Sequence, residues 1–390
     1  MFYCLATLVR LVVAESKERR KKTICFFSPF FPANAGYHWR VEKWAAILKE
    51  NGFKVNIFTA ISKEDFYNYH QDNTALFFIK FLQKRFWQVI QSAKFETVIV
   101  RRELLLFNDY GNLFLDKLLL KFHPNAILDF DDDIAFSKGE PREIESLYGK
   151  ILLENGNKFT ETIRLYKRFQ VATNYLKELV LSVNPEIRSH NICVLPTCVD
   201  YDRFEMKKYN LEKEEVIFGW VGGNHNLFLL NEIIEPLNRL SVEFNIQLLV
   251  ISGRDYVNEK AKFKIINRQW SLDTEVEDIQ CIDIGLMPLL NTNRDKGKAG
   301  FKLIQYMGMG VVSVASAITV NKSIIENGVS GFLVDTDQSW QDVLIKVIES
   351  RCRFDEIGFN ACIKVLRNYS FTANQNIYIS FLKKTNKNLL

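Results

Sequence analysis

Asp283-Ile-Gly-Leu-Met-Pro288, Lys298-Ala-Gly-Phe-Lys-Leu-Ile-Gln-Tyr-Met307 and Val311-Val-Ser-Val-Ala-Ser316 are the segments whose reading decides the fold of this chain. A short apolar strand ends at a proline, and a loop with Arg294, Lys296 and Lys298 follows. Gly300 then opens a helix whose first turn carries Lys302. A helix start presents unpaired N–H groups and a partial positive charge, and lysines there oppose the macrodipole unless an anion is bound. The pattern predicts a cradle for a diphosphate and so points to a nucleotide-activated substrate.

Outward from that cradle the chain repeats one theme. Thr23–Ser28 reads as a buried strand and Pro29–Gly36 as a loop. Val41, Trp44, Ala45 and Leu48 have helical spacing, Asn51-Gly52 supplies a left-handed stop, and Lys54–Thr59 is the next strand. Such a start implies a parallel sheet with right-handed crossovers. Further strands are expected at Thr97–Arg101, Ala126–Phe130, Gln170–Thr173 and Cys193–Pro196. Helical patterns fill intervening segments such as 113–122 and 175–181. After a charged stretch at 200–215, a second series begins at Val216–Val221. It continues through Gln247–Ser252, Asp283–Leu286, Val311–Ala315 and Gly331–Val334. The expected class is α/β, with two doubly wound Rossmann-like domains. Ligands in such sheets bind beyond the strand C-termini, which places the expected site in a cleft between facing domains. The expected boundaries are 1–21, an apolar then basic extension; 22–207; 208–370; and 371–390, a terminal helix.

Composition narrows the function classes. With 390 residues and 47% hydrophobic content the chain exceeds one comfortable core, and 18 Gly and 8 Pro without repeats exclude fibrous or solenoid forms. The net charge of +5 arises from mixed-sign surface, so nucleic acid is not an expected partner. Seven scattered cysteines suit buried thiols in a reducing compartment, and neither they nor the five dispersed histidines have metal-site spacing. Residues 1–14 are apolar and Lys17–Lys22 is basic. Three readings of this segment stay open: an extension of little consequence, a peripheral helix on the inner membrane leaflet, and an export signal. Cytoplasmic localisation is expected, at the inner face of the membrane under the second reading.

In order and character these segments resemble group 1 glycosyltransferases of the GT-B fold. The resemblance runs from Thr23 to the end. It is carried by Ser28-Pro-Phe-Phe-Pro32 with Gly36, Asp129–Asp133, Val194–Asp200 with Phe204, and Gly219-Trp-Val-Gly-Gly223. In the second half Asp283–Pro288, Gly300–Met307, Val311–Ser316 and Ile324–Val334 add to it. The family usually has two glutamates, one for the donor sugar and one for the ribose, at the positions held here by Gly297 and Gln305. Lys298 and Lys302 stand as replacements. Gly222-Gly-Asn-His-Asn226 takes the place of an Arg/Lys pair that relatives often carry.

The expected donor- and phosphate-binding set is therefore Gly36, Gly222, Gly223, Asn224, Lys298, Gly300, Phe301, Lys302 and Gln305. Gly222 and Gly223 would bring backbone N–H groups to a phosphate, and Asn224 or Asn226 would cap the following helix. Gly36 either admits the diphosphate or serves the turn. Arg40, Arg102 and Asp131 are expected on the acceptor side, with Arg40 read either as an anion contact or as a surface charge. Asp131, Asp132 and Lys302 are the catalytic candidates.

Asp129-Phe-Asp-Asp-Asp133 has two readings: a divalent-ion ligand, as in transferases of another fold, or acids that orient an acceptor, cap the next segment or pair with Arg101 and Arg102. The resemblance favours the second, with no metal and no bound cofactor, and a nucleotide-diphosphate sugar as co-substrate. It implies retention of anomeric configuration, a glycan or lipid-linked acceptor, and a role in cell-surface polysaccharide or lipopolysaccharide synthesis. It also implies that the terminal helix crosses back to the first domain, with closure on donor binding. The alternatives are a non-catalytic nucleotide-sugar-binding or assembly subunit, and a sugar-nucleotide 2-epimerase.

Overall fold

The computed structural model describes residues 21–32, 34–64, 75–105, 112–133, 158–210, 212–335 and 339–384. The extension 1–21, except its last residue, lies outside them, as do most of the loops 62–71 and 137–156 expected to read the acceptor.

The chain divides into two units: the first runs to Pro196 and resumes at Gln375, and the second is Thr197–Asn374. The second unit therefore begins eleven residues before the expected 208 and ends four beyond the expected 370. The cause is backbone pairing: Val199 N–H donates to Tyr369 O at 3.0 Å, and Phe371 N–H to Val199 O at 3.4 Å. These bonds tie the start of the unit to its end.

In the first unit β1 (Thr23–Ser28), β2 (Lys54–Thr59), β3 (Thr97–Arg101), β4 (Ile127–Phe130), β5 (Arg168–Val171) and β6 (Ile192–Val194) form one sheet. Its order is β2-β1-β3-β4-β5-β6, and every pairing is parallel. The order reverses between β1 and β3. Right-handed crossovers then put helices Ala75–Ser92, Phe114–Phe122, Lys158–Leu165 and Asn174–Val183 on one face. The helix that connects β1 to β2 lies on the other, where it meets the terminal helix Phe371–Lys383. From Gln375 that helix belongs to this unit: the Tyr378 and Trp44 rings lie 4.7 Å apart, and Arg168 donates to Phe381 O at 2.8 Å.

The second sheet contains β7 (Val216–Val221), β8 (Ile246–Ser252), β9 (Lys264–Gln269), β10 (Ile284–Met287), β11 (Val312–Ser316) and β12 (Phe332–Val334). Its order, β12-β11-β10-β7-β8-β9, is the dinucleotide-fold order, and the reversal falls between β7 and β10. Alternate residues separate into two cores, as a period of two requires. Val216, Phe218, Trp220, Leu248, Ile284 and Val312 pack on one face with Ile233 and Leu344. Val221, Leu249, Met287 and Ala315 pack on the other with Leu303, Met307 and Val365. Both faces are buried, which is why these strands read as unbroken apolar runs. β9 is the strand the sequence reading missed; it is a sheet edge whose Lys264-Ile-Ile-Asn-Arg-Gln269 is exposed at both ends.

Candidate active site

In the second unit the loops after β7 and β10 meet at the strand reversal, the position where this topology leaves a crevice. The loop after β10 leads through the short helix Asn293–Lys296 to Gly300, whose φ of +69° lies in the left-handed region. A Cβ at Gly300 would also stand 2.4 Å from Ile324 Cδ1, so both backbone and space demand glycine. No side chain caps the helix Phe301–Gly308 that follows, and its first turn carries Lys302 and no acid. Tyr306 fixes this helix against β7: its hydroxyl accepts from Val221 N–H at 2.8 Å, and its ring lies on the bare backbone of Gly285.

Lys302 thereby lies over Gly222. A Cβ at Gly222 would be 2.7 Å from Lys302 Cε and 2.4 Å from the Trp220 ring, and Lys302 Nζ sits 5.3 Å from that ring's centroid. Gly222 is a lane for a side chain rather than a phosphate donor, because its N–H already donates to Ile251 O at 3.0 Å. This corrects the expectation for Gly222. Gly223 is exposed at the start of the helical turn Asn224–Leu230 and no side chain caps that turn. Asn224 does not cap it; its Oδ1 accepts from Ser252 Oγ at 3.2 Å.

Asn226 has the role that the sequence reading did not assign. It is 5% exposed, and its Oδ1 accepts from Arg294 at 3.1 Å and from Lys298 Nζ at 3.2 Å. Among the described residues neither cation pairs with a carboxylate, and Arg294 also lies 5.7 Å from the Phe228 ring centroid. Two cations thus share one neutral acceptor, with Lys302 on the adjoining helix. Such an arrangement leaves positive charge for an incoming anion. Phe301 is half-buried beside it.

Gln305 is 2% exposed, on the core side of its helix between Ile304 and Tyr306. It adjoins Glu275, whose carboxyl is pushed up by burial against the opposing pull of Gln305, Trp270 and Arg203. Trp270 Nε1 donates to Glu275 Oε1 at 2.9 Å.

In the first unit the loops after β1, β3 and β4 hold the other expected residues. Arg40 is 1% exposed; it pairs with Asp129 and donates to Leu195 O at 2.7 Å. It is therefore buried inside the fold and is not a surface charge. Arg101 completes the group, 3.4 Å from Asp129 and 2.5 Å from Asp131. Burial pushes the Asp131 carboxyl up, but the charges of Arg101, Arg40 and Arg102 and the Arg101 hydrogen bond outweigh it, and the group sits well below the usual carboxylate range. Asp131 and Asp132 are half-buried. No group of three or more metal-ligand side chains is gathered among the described residues.

Arg102 has a φ of +61°, its N–H donates to Asp129 O at 2.7 Å, and its guanidinium lies 5.9 Å from the Phe30 ring centroid. A non-glycine residue there stores strain of about 1–3 kcal/mol, the kind of cost found at functional positions. The N–H of Gly36 donates to Asn34 Oδ1 at 3.0 Å, so the turn, and not an anion, occupies it. The helix that follows contains a π-helical turn, His38–Glu42, another feature common at sites. Arg85 was also missed. It is fully buried and donates to Ser28 O, Leu104 O and Phe58 O at 2.7, 2.8 and 3.2 Å, which ties the ends of β1 and β2 to the loop after β3.

Residues 216–350, which contain the whole cation cluster, match the family model of group 1 glycosyl transferases. No curated protein matches the chain. Among solved structures, a glycosyltransferase from Rickettsia africae is similar at 16% identity and a TM-score of 0.64, over 95% of this chain and 100% of that one. Sucrose-phosphate synthase from Thermosynechococcus elongatus is similar at 11% identity and 0.67, over 94% and 99%. Anabaena HepE, solved with UDP and glucose, is similar at 12% identity and 0.61, over 92% and 99%. These likenesses show the fold, which is GT-B. The segment that matches the family model thus holds the strand reversal, the uncapped helix and the cations together.

Proposed function

We propose that the protein transfers a sugar from a nucleoside-diphosphate sugar to a glycan or lipid-linked acceptor, as in cell-surface polysaccharide or lipopolysaccharide synthesis. The observation that carries this is the convergence of Arg294 and Lys298 on the neutral Asn226, with Lys302 alongside, in a group 1 domain. In the transition state the sugar becomes oxocarbenium-like while negative charge grows on the departing diphosphate. Fixed donors aimed at that charge each contribute about 2.7–4 kcal/mol, by analogy with oxyanion-hole deletions. Lys298 and Lys302, at the helix start opened by Gly300, and Gly223, at the start of the turn after β7, stabilise the leaving group. Arg102, Asp131 and Asp132 serve the acceptor. The reaction needs no metal and retains anomeric configuration. That HepE is solved with UDP makes uridine nucleotides the first donors to test.

The test is calorimetric titration with nucleoside diphosphates, followed by product analysis with the matching sugar nucleotides. Lys302→Ala should weaken nucleoside diphosphate binding by about tenfold to a hundredfold, the worth of a charge-assisted hydrogen bond. Equal binding by the variant would overturn the assignment. One observation favours a second reading, a binding subunit without turnover: Gly297 has no side chain and Gln305 is buried, so neither supplies a carboxylate. Tight binding without product would select it.

A further inference from the structure

We propose that the helix Phe354–Asn368 of the second unit is the surface through which two copies of this chain pair, antiparallel, about a twofold axis. Its inner face is fixed. Phe354, Ile357, Ala361 and Val365 are buried, the helix packs on Phe301–Gly308, and a Cβ at Gly358 would stand 2.4 Å from Gly310 O. The outer face carries Phe359 and Leu366, 53% and 38% exposed, with Ile363 half-buried between them. Spacings of four and three make these a seam of the kind that faces a partner helix. Val329, 40% exposed, widens it, since Asn360 Nδ2 donates to Val329 O at 3.3 Å. By contrast, helices Asn231–Leu240 and Trp340–Glu349 of the same unit hold no exposed large apolar side chain. Apolar groups gathered on one helix face, rather than scattered singly, mark an interaction surface.

Charge selects a second copy as the occupant. The seam is acidic at one end, where Asp355 and Glu356 are exposed, and basic at the other, where Lys364 and Arg367 lie. Asp355 accepts from Tyr209 N–H at 3.4 Å, and Glu356 pairs with the adjacent Arg353 at 3.0 Å. Lys364 and Arg367 form no ion pair among the described residues. A surface with acid at one end, base at the other and an apolar middle complements itself when turned end for end. With the axis at the level of residue 362, Phe359 meets Leu366 of the partner subunit and Glu356 meets Arg367 of the partner subunit, and each contact occurs twice. A parallel pair would bring like charges together. Acids within the seam oppose docking on anionic lipid, and no described helix is long and apolar enough to cross a membrane. One helix pair is a small contact, so the dimer is weak and concentration-dependent.

Sedimentation equilibrium of the full chain over about 1–200 μM tests the proposal, with the average mass expected to climb from monomer toward dimer across that range. Phe359→Glu should weaken association at least about tenfold. Arg367→Glu alone should weaken it by about threefold to tenfold. Adding Glu356→Lys to that variant restores the cross-axis pair with its signs exchanged and should recover most of the loss. A wild type that stays monomeric to the top of the range overturns the proposal. So does a dimer that Phe359→Glu leaves intact, or a charge loss that the second change does not recover, since only the antiparallel arrangement sets position 356 against position 367. Should Phe359→Glu not fold, hydrogen exchange on the wild type decides: amides of 355–367 should gain protection as concentration rises over the same range, and unchanged exchange there overturns the assignment.

Discussion

Each unit gathers arginines and lysines at the C-terminal ends of its strands, beside the point where strand order reverses, yet the two ends treat charge oppositely. In the first unit Arg40 and Arg101 are matched by Asp129 and Asp131, inside the fold. In the second, Arg294 and Lys298 share the neutral oxygen of Asn226, and Lys302 rests on an indole face. The first arrangement balances its charges within the fold and holds loops in place. Under the proposed function, the second is completed by an anion. Formal charge near a strand end therefore says little about binding; what the cations are bonded to says much more.

The largest expected effect breaks the first arrangement. Asp129→Ala removes the carboxylate between two buried guanidiniums, and an uncompensated buried charge costs about 3–5 kcal/mol. Urea unfolding should show that loss, while nucleoside diphosphate titration of the folded variant stays at wild-type affinity. A loss under about 1 kcal/mol with transfer abolished would instead make Asp129 part of the chemistry.

A smaller effect makes the second end resemble the first. Asn226→Asp puts a carboxylate between Arg294 and Lys298, which neutralises the site from within. Nucleoside diphosphate affinity should fall at least about tenfold, with stability unchanged or raised by up to about 1 kcal/mol. Affinity that survives the change would show that the anion is held by Lys302 and the helix start alone.

The two ends also differ in how far their sequence betrayed them. Gly300 and Lys302 were legible because they sit together: an apolar strand, a left-handed glycine and a helix start follow one another within twenty residues. The sheet strands were legible as apolar runs for the same reason, each being buried on both faces. Arg40 was not, because its partner Asp129 is 89 residues away and a buried arginine looks like any helix-surface arginine until the partner is placed. Arg85 left a signal, since it falls in phase with the buried Phe78, Phe81 and Val89 of its helix. Asn226 left none. Its role depends on β7 and β10 being neighbours, a fact of strand order that local pattern does not contain. Gly222 misled in the other direction: its openness serves Lys302, and its N–H belongs to β8.

The smallest expected effect sharpens the comparison through pH. The Asp131 carboxyl lies below its unfolded value of about 3.9, because its arginines hold it ionised. A depressed carboxylate stabilises the folded state fully above its unfolded pKa, and the contribution drains away as pH falls through the folded one. Asp131→Asn should therefore cost about 1 kcal/mol at pH 7, with the difference from wild type narrowing below about pH 4 in acid-unfolding curves. Lys302→Ala, at the other end, should show no narrowing over that range. An Asp131→Asn cost that persisted unchanged into strong acid would mean that the side chain acts by shape rather than charge, and the contrast between the two ends would then rest on Arg40 and Asp129 alone.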